Sequence, residues 1–150
     1  MVIIITGTPG TGKSTYAQQL SEQLDRPVRN ITGLLKQRNL DGEWDDNRNC
    51  FVVDVDKLSA ILEDIAQAEP DSIIDGHLSH YLPPQHVERC IVTKCDLPEL
   101  KQRLEERGYD EDKVRENLDC EIFDVCYHEA IEHGFDPEVI WTSDDQPEMV

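Results

Sequence analysis

Long apolar runs are missing from this sequence of 150 residues. Nothing approaches the roughly 18 consecutive apolar residues of a membrane-spanning helix, so no membrane association is expected. The first residues carry no basic stretch ahead of a long apolar one, so they read as a strand and not a signal peptide, and the expected location is cytoplasmic. Basic residues are scarce, 14 against 32 acidic ones, for a net charge of −18. A chain without a basic footprint is not built for general affinity to nucleic acid, and no direct nucleic-acid contact is expected. The acidic balance suits a basic protein partner, or simply solubility in a salty cytosol. The five cysteines, Cys50, Cys90, Cys95, Cys120 and Cys126, include no C-x-x-C pair, which argues against a zinc knuckle or redox motif. They read as free thiols, mostly buried. Internal repeats and low-complexity linkers are also absent. One domain over 1–150 is expected, long enough to bury a core without disulfide or metal support.

The apolar runs that exist are short and regularly placed. Val2 to Thr6 is a continuous apolar run of the kind buried on both faces of a parallel sheet. A helix follows from Lys13 to Leu24, with Tyr16, Ala17, Leu20 and Leu24 on one face. Val28 to Ile31 reads as a short strand, and Thr32 as the N-cap of a helix through Leu34, Leu35 and Arg38. The polar stretch 41–49 reads as a loop, with Trp44 as its odd member. Asp54 caps a helix carrying Leu58, Ile61, Leu62 and Ile65. Ser72 to Asp75 is a second apolar run, ending in an acid, and a histidine-rich loop follows it. Ile91 and Val92 centre the next strand. Asp96 with Glu99 forms a capping-box pattern for a helix that Gly108 ends. Asp110 opens a longer helix with Val114, Leu118, Ile122 and Val125 in register, stopped by Gly134. Val139 to Trp141 is a last strand. Strands alternating with helices give an α/β class with a parallel sheet.

Gly7-Thr8-Pro9-Gly10-Thr11-Gly12-Lys13-Ser14 fits G-x-x-x-x-G-K-S between a strand and a helix, the context this pattern requires. Glycines let successive N–H groups turn toward phosphate oxygens, and the helix N-terminus adds favourable potential for an anion. Gly7, Pro9, Gly10, Thr11, Gly12, Lys13, Ser14 and Thr15 are therefore assigned to ATP. Lys13 is expected to reach the β- and γ-phosphates and Ser14 to ligate Mg²⁺. Such a site needs an acid near the metal at the end of a neighbouring strand. Asp75 fits, acting through water, or else caps the turn that follows. His77 either orients the attacking water or the acceptor, or is polar surface. Lys101, Arg103, Arg107, Lys113 and Arg115 concentrate cations in an acidic chain. They read as phosphate ligands of a lid, Arg103 toward the nucleotide and Arg107 toward the transferring group, or as partners of Glu105, Glu106 and Glu111 on a helix surface. Residues 30–65 fall where small kinases insert an acceptor-binding part, and about 107–117 where a short lid closes to exclude water.

These stretches resemble the adenylate kinase isoenzyme six family of archaea and eukaryotes, the small-ribosomal-subunit maturation ATPases. Four separated motifs carry the resemblance in order. They are the glycine loop; Asp75-Gly76-His77, like the family's Asp-x-His; Arg107-Gly108-Tyr109 followed by Lys113 and Asn117, like its lid; and Cys120-Glu121-Ile122-Phe123 with Tyr127, Glu129 and Ala130, like the helix after it. The resemblance implies a three-layer P-loop fold with a five-stranded parallel sheet of the nucleoside-monophosphate kinase type. It implies the reaction ATP + AMP ⇌ 2 ADP with broad monophosphate acceptance, ATP hydrolysis tied to the Asp-x-His pair, and contact with a basic small-subunit ribosomal protein. Asn30, Lys36, Gly76 and His77 then fall to the acceptor. Lys36 stands where a basic phosphate ligand, usually arginine, is expected, and its point charge lacks the bidentate fork. Gly33 occupies an often acidic position, and Cys50, Val53, Asp54 and Asp56 resemble the segment leading into the next helix. Residues 142–147 are expected under the adenine. The family is expected to run on into a further helix after the last strand, whereas this sequence stops at Val150, either trimmed there or naturally without that helix. Two other readings stay open: a ribosome-assembly ATPase switch with incidental kinase activity, and a small-metabolite kinase.

Overall fold

The computed structural model describes residues 1–31, 43–45, 50–52 and 55–143. Among these, five strands form one parallel sheet in the order β2-β5-β1-β6-β7. They are β1 (Val2–Gly7), β2 (Val28–Asn30), β5 (Ile73–Asp75), β6 (Val87–Lys94) and β7 (Glu138–Trp141). Strand β1 is central because it is apolar on both faces, and its six residues are all buried. Its registers with β5 (Ile5 opposite Asp75) and with β6 (Gly7 opposite Thr93) bring the strand ends to one edge.

Helices cover both faces. Ile3 and Ile5 point to α1 (Lys13–Leu24) and pack with Ala17, Leu20, Ile73 and Ile91. Val2 and Ile4 point the other way, to α2 (Val55–Ala68), and pack with Leu58, Ile61, Leu62, Ile65 and Ile74. A third cluster of Cys95, Leu100, Leu104 and Val114 joins α3 (Leu97–Glu106) to α4 (Glu111–Ile122). Helix α5 (Val125–Glu132) closes the α2 face through Ala130. The result is the three-layer α/β arrangement expected for a P-loop fold.

Four local readings need correction. The stretch 41–49, expected as loop, contains β3 (Glu43–Asp45), which pairs antiparallel with β4 (Cys50–Val52) and sets Trp44 opposite Phe51. Pairing with an apolar partner strand outweighs polar composition here. The long helix after Asp110 is two helices. Asp124 takes a left-handed φ of 51° between α4 and α5, and its carboxylate pairs with Lys94 at the end of β6. The supposed register fails accordingly: Val114 is buried, but Ile122 is exposed. Leu24, placed on the buried face of α1, is also exposed. The capping box is half made. The Asp96 carboxylate accepts from Glu99 N at 3.0 Å, but Asp96 N donates to Ser143 Oγ at 3.3 Å and not to Glu99. Thr32, Gly33, Leu34, Leu35, Lys36, Arg38, Val53 and Asp54 lie outside the described residues.

Candidate active site at the C-terminal edge of the sheet

The sheet order reverses about β1, and the segments leaving β1, β5, β2, β6 and β7 meet at their C-terminal ends, where open α/β sheets bind ligands. The loop from Gly7 to Gly12 leaves β1 and opens α1 with no side-chain cap, so its first N–H groups stay free for an anion. Gly12 has a φ of 85°, a conformation costly for other residues. At Gly7 the constraint is space. A Cβ there would stand 2.5 Å from Thr93 Oγ1 and 2.7 Å from the Thr93 carbonyl oxygen. Since the contact is partly with backbone, Gly7→Ala is expected to cost about 2–3 kcal/mol of stability, together with nucleotide binding. Thermal melting with and without ATP measures both losses.

Thr11 Oγ1 bonds Thr8 O at 2.6 Å and Thr93 Oγ1 at 2.8 Å, so Thr11 closes the loop's turn from inside. Lys13 Nζ donates to Gly7 O at 3.0 Å and Thr8 O at 3.2 Å, lying across the cradle. Although Lys13 keeps some solvent contact, crowding by protein atoms pulls its pKa down to about 8, and Asp75 and Glu121 act against that loss. It remains mostly a cation at neutral pH.

Asp75 ends β5 and is 2% exposed. Its Oδ2 accepts from Ser14 Oγ at 3.1 Å and from Asn30 Nδ2 at 3.4 Å. Its Oδ1 is buried without a hydrogen-bond partner. An unpartnered anionic oxygen beside a serine hydroxyl fits a hard, oxygen-preferring cation such as Mg²⁺. Among the described residues no group of three or more His, Cys, Asp or Glu could hold a metal. Such a cation would therefore take most of its ligands from phosphates and water, with Ser14 and Asp75 as the protein's share.

The remaining candidates surround three cavities. One of about 280 Å³ is lined by Lys13, Ser14, Asn30, Asp75, His77 and Arg107, and by Gly76 between them. A larger one, about 750 Å³, runs over Gly12, Thr15, Tyr16, Arg107, Trp141 and Thr142. A third, about 310 Å³ and mostly apolar, lies beyond His77 between Pro9, Tyr109, Asn117 and Cys126. Pro9, His77 and Tyr109 border both the first and the third. His77 is exposed, yet surrounding protein atoms and the Lys13 cation push its imidazole down to about 4, so it is neutral near pH 7. A neutral ring can accept a proton or orient a water. Lys36 lies outside the described residues.

Arg103 behaves differently from Arg107. Its guanidinium donates to Gly10 O at 3.2 Å, Thr142 O at 2.9 Å, Thr142 Oγ1 at 3.1 Å and Glu99 at 2.7 Å. It braces the glycine loop against the segment after β7 while lining the large cavity. Thr142 Oγ1 also donates to Thr11 O.

Sequence reasoning passed over His80 and named Glu121 only as part of a motif. His80, fully buried, bonds Thr6 Oγ1 through Nδ1 at 2.8 Å and Glu129 through Nε2 at 3.2 Å. Thr6 Oγ1 also lies 3.1 Å from the His77 carbonyl. Burial and then the nearby His133 push His80 down to about 4. The folded protein thus binds this proton less readily than the unfolded chain. Stability is present above about pH 6.5 and falls as pH drops toward 4, by on the order of 2–3 kcal/mol. Melting curves between pH 7 and pH 5 should show the decline, and His80→Gln should reduce it, leaving the part that the similarly depressed His77 contributes.

An AAA domain family profile matches residues 3–124. A "putative adenylate kinase" of Methanocaldococcus jannaschii is 42% identical over 130 residues, which are 87% of this chain and 72% of that protein. An "adenylate kinase isoenzyme 6 homolog" of Saccharomyces cerevisiae is 36% identical over 151 residues, 99% of this chain and 76% of that one. A protein of the same description from Caenorhabditis elegans is 37% identical over 131 residues, 87% and 72% of the two chains. Among solved structures, a shikimate kinase from Acinetobacter baumannii superposes with a TM-score of 0.64 at 14% identity, covering 99% of this chain and 84% of its own. That likeness is one of fold.

Proposed function

Because the chain belongs to the adenylate kinase isoenzyme 6 family and is a nucleotide kinase, we propose that it transfers the γ-phosphoryl group of ATP–Mg²⁺ to AMP, with tolerance for other monophosphates, and hydrolyses ATP slowly. The observation that carries this reading is the convergence of Lys13, Ser14, Asp75, His77 and Asn30 on one cavity of about 280 Å³, next to the large cavity over Trp141 and Thr142. Adenosine of ATP occupies the large cavity and its phosphates the smaller one. Asn30 and Gly76 face the acceptor, and Lys36 belongs to the same acceptor segment. Phosphoryl transfer needs positioning and charge neutralisation more than covalent help, and Lys13, Arg107 and Mg²⁺ supply the charge.

ADP formation from ATP–Mg²⁺, with and without AMP, tests the proposal. A severalfold rise with AMP, and two ADP formed per ATP consumed, is expected. No response to AMP while slow hydrolysis persists would favour the second reading, an assembly switch in which nucleotide turnover controls partner release. The neutral His77 ring at the cavity supports a hydrolytic role. His77→Ala is expected to lower hydrolysis about tenfold or more and phosphotransfer less, since AMP needs no oriented water. Equal losses in single-turnover assays of the two reactions would refute that role. The net charge of −18 supports a basic partner; that this partner is a small-subunit ribosomal protein, met in small-subunit maturation in the cytoplasm, rests on the family resemblance alone. Among the described residues no helix is long and apolar enough to cross a membrane.

A further inference from the structure

Glu121 is an acid where helix α4 meets the core. It is 8% exposed, and both of its oxygens are committed. Oε1 accepts from Thr8 Oγ1 at 3.3 Å and Oε2 from Cys95 N at 2.9 Å. Those two partners follow the C-terminal ends of neighbouring strands: Thr8 at the first corner of the glycine loop after β1 and Cys95 just past β6. Thr8 is a hinge of the loop as well. Its carbonyl accepts from Thr11 N at 3.2 Å, from Thr11 Oγ1 at 2.6 Å and from Lys13 Nζ at 3.2 Å. A shift of Thr8 therefore moves the groups that face the phosphates.

Burial works against this carboxylate and raises its pKa, while the Cys95 amide, Lys94 and the Thr8 hydroxyl oppose the rise. Lys94 is itself paired with Asp124 and lies 5.1 Å over the Trp141 ring. A buried acid behind a phosphate-binding loop is an electrostatic disadvantage unless its position is needed. We infer that Glu121 is a positioning residue for ATP: through the Thr8 hydroxyl it ties the first corner of the glycine loop to α4.

The inference rests on nucleotide binding alone. ATP–Mg²⁺ titration calorimetry tests it without reference to the acceptor, so failure of AMP phosphorylation would leave it standing. Glu121→Leu and Thr8→Val are each expected to weaken ATP about tenfold, and the double variant also about tenfold and not a hundredfold, because both break one link. Glu121→Gln should restore most of the affinity. Its Oε1 can accept from Cys95 N while its Nε2 donates to a turned Thr8 hydroxyl. Thr8→Ser, which keeps the hydroxyl, should bind better than Thr8→Val, and this pair carries the test if Glu121→Leu does not fold. Multiplying losses, a Thr8→Val protein that binds ATP normally, or a Glu121→Leu protein with a lower Tm and unchanged Kd would overturn the inference. So would a Glu121→Gln protein as weak as Glu121→Leu.

Discussion

Lys13→Ala should abolish AMP-dependent phosphotransfer and ATP hydrolysis together, each by about a thousandfold, or about 4 kcal/mol of transition-state stabilisation. The ammonium lies across the cradle, bonded to Gly7 O and Thr8 O. A bound triphosphate would take it over, and the same amine then neutralises charge on the transferred group whether water or AMP attacks. Stability should hold or rise. Burial depresses this lysine to about 8, so at neutral pH its charge costs the fold and does not support it. A lost activity with an unchanged or raised melting temperature would separate function from folding. Lys13→Arg is not expected to rescue, because a planar fork does not fit a cradle shaped for a point charge. Wild-type rates of either reaction in Lys13→Ala would sink the assignment of the loop.

How much of this site was legible in the sequence depends on how local its causes are. The β1–loop–α1 unit could be read directly, because a buried strand, three loop glycines and an open helix start are all encoded within 23 residues, Val2 to Leu24. Asp75 and His77 could be read because each strand end is marked by the end of a short apolar run. The elbow at Asp124 could not. It carries an ion pair with Lys94, 30 residues earlier, and the helical periodicity runs on past it. Part of the same holds for Arg103, read as a nucleotide ligand or as a partner of acids on its helix. Its pair with Glu99, four residues earlier on α3, is local, but its bonds to Gly10 and Thr142 join groups that only the closed sheet brings together. Glu121 was visible as part of a recognisable stretch, but its partners Thr8 and Cys95 are 113 and 26 residues away. The two-stranded hairpin of β3 and β4 shows the opposite limit, where backbone pairing overrides a sequence that reads as loop.

Asp75→Asn should also separate stability from function. The carboxylate is 2% exposed, and its Oδ1 has no hydrogen-bond partner, an arrangement that costs the fold energy unless a cation is to arrive. Asparagine has nearly the same shape and can still accept from Ser14 and Asn30 through its oxygen, while the charge is gone. The variant is therefore expected to melt no lower than the parent, with a gain of up to about 1 kcal/mol. Turnover should nevertheless fall by about a hundredfold at ordinary magnesium concentrations, since the cation loses its charged protein contact. Raising magnesium should recover part of the rate, so the midpoint of a magnesium titration should move upward. ATP binding without magnesium should hold or tighten, because a negative charge has left the phosphate site. If Asp75 served only to cap the turn after β5, the pattern would invert: melting temperature would fall and the magnesium midpoint would stay where it is. The two measurements decide between a metal-orienting acid and a structural one without any assumption about the acceptor.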